Sequence, residues 1–190
     1  MHDARPGTKP GDDQRDGLPS VTDHPPLGTV ALNSEHAVEG FTCAKSARVE
    51  GFLRDEAHAM VEKNYSKVFV WPDPADPTKV WGYYTLSAAR VERQELINRY
   101  EKKVPKGLPV PVALIGYMGR SDDAPKGLGA ALIYDAAVRV GQNKDVGAWG
   151  LALDAENEGL GVWYAKQGFV AAKSKPLFMY GPLSAFARSA

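Results

Sequence analysis

The apolar run Val112-Ala113-Leu114-Ile115-Gly116-Tyr117-Met118, the glycine turn Lys126-Gly127-Leu128-Gly129 and the alanine-rich stretch from Ala130 to Arg139 together allow few folds. A continuous apolar run suits a strand covered on both faces. The glycines that follow have no Cβ and reach backbone angles closed to other residues, so their N–H groups can approach an anion at the positive end of the next helix. Lys126 adds a local charge. An ordinary helix N-terminus explains the same glycines, and a lone Gly-x-Gly does not decide between the two. Leu128, Leu132 and Val140 share one stripe of this helix, and Ala130, Ala131, Ala136 and Ala137 allow it to pack closely on a sheet. Asp135 and Arg139 stand one turn apart with opposite charge. Gly141 is the predicted helix end.

At 190 residues the chain is long enough for a single domain with a sizeable core. Its formal net charge of +0 excludes a whole-molecule field that draws in nucleic acid or an anionic membrane, so any basic face has to be local. Cys43 is the only cysteine, which excludes an intramolecular disulfide and a cysteine-built zinc site, and no metal is expected. Residues 1–26 hold five prolines and five aspartates among few apolar side chains and read as a disordered tail; residues 27–190 read as the domain. No apolar run approaches the ~20 residues of a membrane span. The expectation is a soluble, cytoplasmic protein.

From Phe41 the pattern becomes amphipathic, with Val49, Phe52, Leu53, Met60 and Val61 on one helical face, Ser46 as N-cap and Asn64 as left-handed stop. Lys67–Trp71 and Val80–Leu86 are rich in β-branched and aromatic residues and predict a hairpin across Pro72–Pro77. Trp149–Asp154 predicts a second buried strand, Glu156–Gln167 a short helix closed by Gly168, and Leu177–Tyr180 a last strand. This order predicts an α/β (α+β) domain built on a mixed sheet with helices on both faces. Between Arg90 and Lys106 lie Arg90, Arg93, Arg99, Lys102, Lys103 and Lys106 against Glu92, Glu95 and Glu101. A solvated helix face with partial charge pairing accounts for this window, and so does a patch for phosphates.

Gly82-Tyr83-Tyr84-Thr85-Leu86-Ser87, Pro109-Val110-Pro111-Val112, Lys126-Gly127-Leu128-Gly129, Leu153-Asp154-Ala155 and Trp163-Tyr164-Ala165-Lys166-Gln167-Gly168-Phe169 follow one another in the order and spacing of a known family. From about Phe41 to Leu183 the chain resembles the GCN5-related N-acetyltransferases. More narrowly, it resembles the toxins of toxin–antitoxin pairs that acetylate charged tRNA. The resemblance implies that family's fold, with a sheet splayed between two parallel strands, here those holding Ile115–Gly119 and Gly150–Asp154. It implies acetyl-CoA as co-substrate, bound through Tyr117, Met118, Gly119, Lys126, Gly127, Leu128, Gly129, Ala130, Asp154 and Asn157. Tyr164 falls where the family has its general acid toward the departing CoA thiolate. Ala124 stands where the family's turn begins with Arg or Gln. The resemblance further implies RNA contacts from Arg90, Arg93, Arg99, Lys102 and Lys103, a small DNA-binding antitoxin partner and a homodimer.

The proton chemistry sets a condition on Tyr164. A free phenol near pKa ~10 yields its proton to a thiolate near ~8.5 uphill by roughly 2 kcal/mol. The site therefore has to depress the phenol or move the proton as thiolate charge builds. No base stands out: His36 and His58 are the only histidines beyond the tail, and neither lies in a motif. An α-amine at ~7.7–8.0, lower still in an ester, needs little help to lose its proton, whereas a lysine near ~10.4 needs a base. Three functions compete on these residues. They are acetylation of an aminoacyl-tRNA, acetylation of a small amine or protein N-terminus, and CoA or partner binding without catalysis.

Overall fold

In the computed structural model, residues 28–186 are described, and the expected tail lies outside them. The chain opens with strand β1 (Val30–Ala31) and a 3-10 turn at Val38–Gly40. Helices α1 (Ala47–Gly51) and α2 (Ala57–Glu62) are joined by a π-helical segment, Phe52–Glu56, into the single amphipathic rod that the apolar spacing predicts. The Ser46 side chain accepts from the Val49 amide, and Asn64 stops the rod with φ 57°. Strands β2 (Lys67–Asp73) and β3 (Asp76–Val91) form the hairpin, longer than expected because the prolines at 72 and 77 lie inside the strands. A 3-10 turn (Arg93–Glu95) and helix α3 (Asn98–Glu101) lead to β4 (Val110–Ile115) and β5 (Met118–Arg120). Then come α4 (Leu128–Gln142), β6 (Gly150–Asp154), α5 (Glu158–Lys166), β7 (Val170–Ala171), β8 (Phe178–Pro182) and α6 (Leu183–Phe186). Contrary to expectation, Gly141 lies inside α4, and Asn143 caps it in an extended conformation. The last strand runs to Pro182 rather than stopping at Tyr180.

The sheet is mixed, in the order β1-β2-β3-β4-β6-β8-β7, with β5 paired to β3. Among the described strands only β4 and β6 pair in parallel, and α4 is the crossover that such a pair requires. Alternation along β3 sends neighbouring tyrosines to opposite faces. Tyr83 packs with α1 and α2 among Phe41, Phe52 and Val70, while Tyr84 packs with α4 beside Leu128 and Leu132. Tyr180, Leu96 and Val104 build a further cluster under the 93–104 segment. Helices therefore cover both faces, as predicted. No helix among the described residues is long and apolar enough to cross a membrane.

One buried network fixes α4 in place. The Asp135 carboxylate, 3% exposed, accepts from the Tyr84 hydroxyl at 2.5 Å, the Thr29 hydroxyl at 2.5 Å and the Gly28 amide at 2.8 Å. Arg139 donates to Tyr84 Oη at 3.0 Å and to the Thr29 carbonyl at 2.7 Å, with its guanidinium 3.9 Å from the Phe69 ring centre. A buried charge that is paired and hydrogen-bonded on all sides specifies one orientation for the helix that carries it.

Candidate active site

The parallel pairing of β4 with β6 ends at Ile115 opposite Leu153. Beyond it the chain kinks at Gly116-Tyr117, and β5 pairs with β3 through Gly82–Tyr84, leaving β6 behind. Thr85 clamps the kink: its buried hydroxyl accepts from the Tyr117 amide at 3.0 Å, and its own amide donates to the Tyr117 carbonyl at 2.9 Å. The splay opens a cleft of about 640 Å³. Its walls come from the segment leading into α1, the kink, the N-terminus of α4, the end of β6 and the inner face of α5.

The glycine turn forms one wall. Gly127 adopts φ 92°, a left-handed angle, and caps α4. Leu128 N donates to Pro125 O, and Ala130 N and Ala131 N donate to Gly127 O. No acceptor among the described residues takes the amides of Lys126, Gly127 or Gly129. Three backbone donors at the start of a 15-residue helix thus need an anion or water. The Trp163 ring lies over Gly129, where an added Cβ would meet it at 3.3 Å. Ala124 is 7% exposed and packs in the core around Leu128, which explains the short side chain at this point of the turn.

On the α5 wall of the same cleft is Tyr164. Asn157 caps α5 by accepting from Leu160 N at 2.9 Å, and Gly168, at φ 106°, turns the chain so that Phe169 packs under Tyr164. The Tyr164 ring stands edge-on between Trp163 at 5.0 Å and Phe169 at 5.7 Å. Its hydroxyl has no protein partner among the described residues, and the side chain lines the cleft. Burial, and then the Glu156 carboxylate, push its pKa up to about 12. The phenol is therefore raised rather than depressed.

Of the expected donor-binding residues, Tyr117, Met118, Gly119, Gly127, Gly129, Ala130 and Asp154 line the cleft together with Tyr164. Lys126, Leu128 and Asn157 do not. Lys126 is exposed outside it, Leu128 is turned inward over Gly82, and Asn157 is spent on its cap. The basic window is not one helix face. Arg90 lies one residue before the end of β3 and pairs with Glu92 at 3.0 Å, and Arg93 pairs with Glu101 at 3.2 Å. Arg99 stacks on Tyr100 at 4.6 Å, and Lys102 and Lys103 are exposed in the turn after α3. None of the five lines the cleft. Sequence reasoning missed Cys43, Lys45, Arg48, Arg120 and Glu156, which do. Their helix caps and loop carry no motif, and only the placement of α1 against β5 brings them in. Ser46 Oγ donates to Glu156 Oε1 at 3.2 Å across the cleft mouth, and Arg48 sits 4.9 Å over the Tyr117 ring, which stacks on Phe52.

No family model matches the sequence. Solved structures share the architecture. AtaT complexed with acetyl-methionyl-tRNAfMet superposes with a TM-score of 0.74 at 21% identity, over 84% of this chain and 96% of that one. A tyrosine-to-phenylalanine mutant of KacT gives 0.68 at 23%, over 81% and 92%. A mutant AtaT toxin bound to acetyl-CoA and the C-terminus of the antitoxin AtaR gives 0.67 at 18%, over 83% and 94%. The chain thus has the fold of these proteins, the one that the resemblance to GCN5-related N-acetyltransferases implied.

Proposed function

We propose that this chain is an N-acetyltransferase that moves the acetyl group of acetyl-CoA to the α-amine of an aminoacyl-tRNA, acting as a translation-blocking toxin. The observation that carries the proposal is one cleft with unpaired cradle amides at Gly127 and Gly129 and an unpartnered phenol at Tyr164. The cleft fits the co-substrate: backbone donors meet a diphosphate, and the splayed edges of β5 and β6 meet the amides of a pantetheine arm. The acceptor nitrogen attacks the thioester carbonyl, the carbon–sulfur bond breaks, and Tyr164 gives its proton to the sulfur as charge develops there. With the phenol near 12 and a thiol near ~8.5, a stepwise transfer to free thiolate would be uphill by roughly 5 kcal/mol, so proton motion accompanies bond cleavage.

On this reading Arg99, Lys102 and Lys103 contact tRNA phosphates, with Arg90 and Arg93 at the margin because Glu92 and Glu101 pair with them. A homodimer and an antitoxin that masks the cleft complete the proposal. It is supported by the shared fold with AtaT, which is solved with an acetylated charged tRNA, and with KacT, also solved as a KacTA–DNA complex. The same pairing of Arg90 and Arg93 favours a second reading, acetylation of a small amine or protein N-terminus. Replacing Arg99, Lys102 and Lys103 together with Ala separates the two. Loss of tRNA acetylation with unchanged turnover of a small amine supports the first; unchanged turnover of both supports the second.

A further inference from the structure

We propose that Arg120 is the side-chain cation of the phosphate cradle: one edge of its guanidinium locks the loop, and the other is offered to the diphosphate of the acyl donor. This rests on the reading of the cleft as an acetyl-CoA site. The loop between β5 and α4 is acidic where a diphosphate would lie. It carries Asp122 and Asp123, and its own lysine, Lys126, stands outside the cleft. Asp123 is neutralised by an ion pair with Lys79 and a 2.6 Å bond from the Ser121 hydroxyl. Among the described residues the Asp122 carboxylate accepts only the Ala44 amide, at 3.0 Å and 3.2 Å, and has no cation paired with it. A dianion bound by backbone amides alone would sit against that charge.

Arg120, the last residue of β5 and the start of this loop, lines the cleft. Its Nη1 donates to Ala124 O at 3.0 Å and to Ser121 O at 3.3 Å, which uses both hydrogens of that nitrogen. The remaining Nε and Nη2 hydrogens form the straight edge of the guanidinium, and no acceptor among the described residues takes them. Two parallel N–H groups on one rigid plane match two phosphate oxygens. Because the carbonyls already fix the plane, little side-chain freedom is left to lose on binding.

The test uses the full chain with three donors. They are acetyl-CoA, its dephospho form lacking the 3′-phosphate, and acetyl-pantetheine, which has the thioester but no phosphate. Arg120→Ala should weaken binding of acetyl-CoA and of the dephospho form alike, by about 10- to 100-fold in Kd, the range for a charged hydrogen-bonded fork. Acetyl-pantetheine turnover should change by less than about twofold on the same basis. Arg120→Gln keeps an amide donor for the loop carbonyls without the charge, and should lose affinity in the same pattern while holding the fold. Equal weakening for all three donors would mean a structural brace only, and weakening confined to acetyl-CoA would assign Arg120 to the 3′-phosphate. Either result, or unchanged affinity, overturns the proposal. Failure of the unsubstituted chain to bind acetyl-CoA would instead overturn the donor reading itself, and this inference with it.

Discussion

Tyr164 carries the chemistry in this account, and its surroundings set two expectations. Trp163 and Phe169 fix the ring, so Tyr164→Phe removes the hydroxyl without disturbing the packing. The loss expected in kcat is about 10²- to 10⁴-fold, the usual worth of a general acid, with KM for acetyl-CoA within about twofold. Steady-state kinetics on the two proteins checks it. Because burial and Glu156 raise the pKa to about 12, the acid form persists at every pH below that. The rate should therefore climb as the acceptor amine loses its proton and then stay level through about pH 10, with no descending limb below it. A fall in kcat between pH 8 and 9 in a stable protein would mean that a group other than Tyr164 supplies the proton.

Among elements, α4 matters most, since it presents the cradle at one end and is pinned to the sheet by Asp135. Asp135→Ala would remove the acceptor of the buried Tyr84 and Thr29 hydroxyls and the carboxylate partner of the partly buried Arg139, at a cost of about 3 kcal/mol. Urea denaturation midpoints give the comparison with the parent. Gly150→Ala tests the β6–β8 pair, because a Cβ there would lie 2.0 Å from the Gly181 carbonyl oxygen, a backbone atom that cannot swing aside. Destabilisation of about 1–3 kcal/mol or more is expected. Much of this frame was legible in the sequence. The apolar run at 112–118, which the structure breaks at Gly116-Tyr117 into β4 and β5, the alternation at Tyr83-Tyr84 and the stops at Asn64 and Gly168 each follow from a local rule. What was not legible depends on partners distant in sequence. Val30–Ala31 is a strand only because β2 pairs with it, and Val170–Ala171 only because β8 does. In the basic window, Leu96 at 0% and Val104 at 7% exposure anchor the chain inward and break it into two short turns, where the charges suggested one helix face. On the cleft wall, Lys45, Arg48 and Arg120 join through tertiary contacts that no spacing announces.

At the scale of the whole molecule, zero net charge and the proposed substrate, a tRNA, have to be reconciled. The structure separates the charges. Glu92 and Glu101 are taken up by Arg90, Arg93 and Lys173, while Arg99, Lys102 and Lys103 have no acidic partner among the described residues. Binding carried by so few cations should weaken only shallowly with salt, with a slope in log K against log salt of about −2 to −3. A titration of tRNA affinity from low to physiological salt measures it. The most direct test of the central claim is to incubate the full chain with acetyl-CoA and a pool of charged tRNAs, then read the nuclease digest by mass spectrometry. The account predicts N-acetylated aminoacyl-adenosine from the unsubstituted chain and a large drop with Tyr164→Phe. No acetylated aminoacyl product from any tRNA, under conditions in which acetyl-CoA binds, would contradict it.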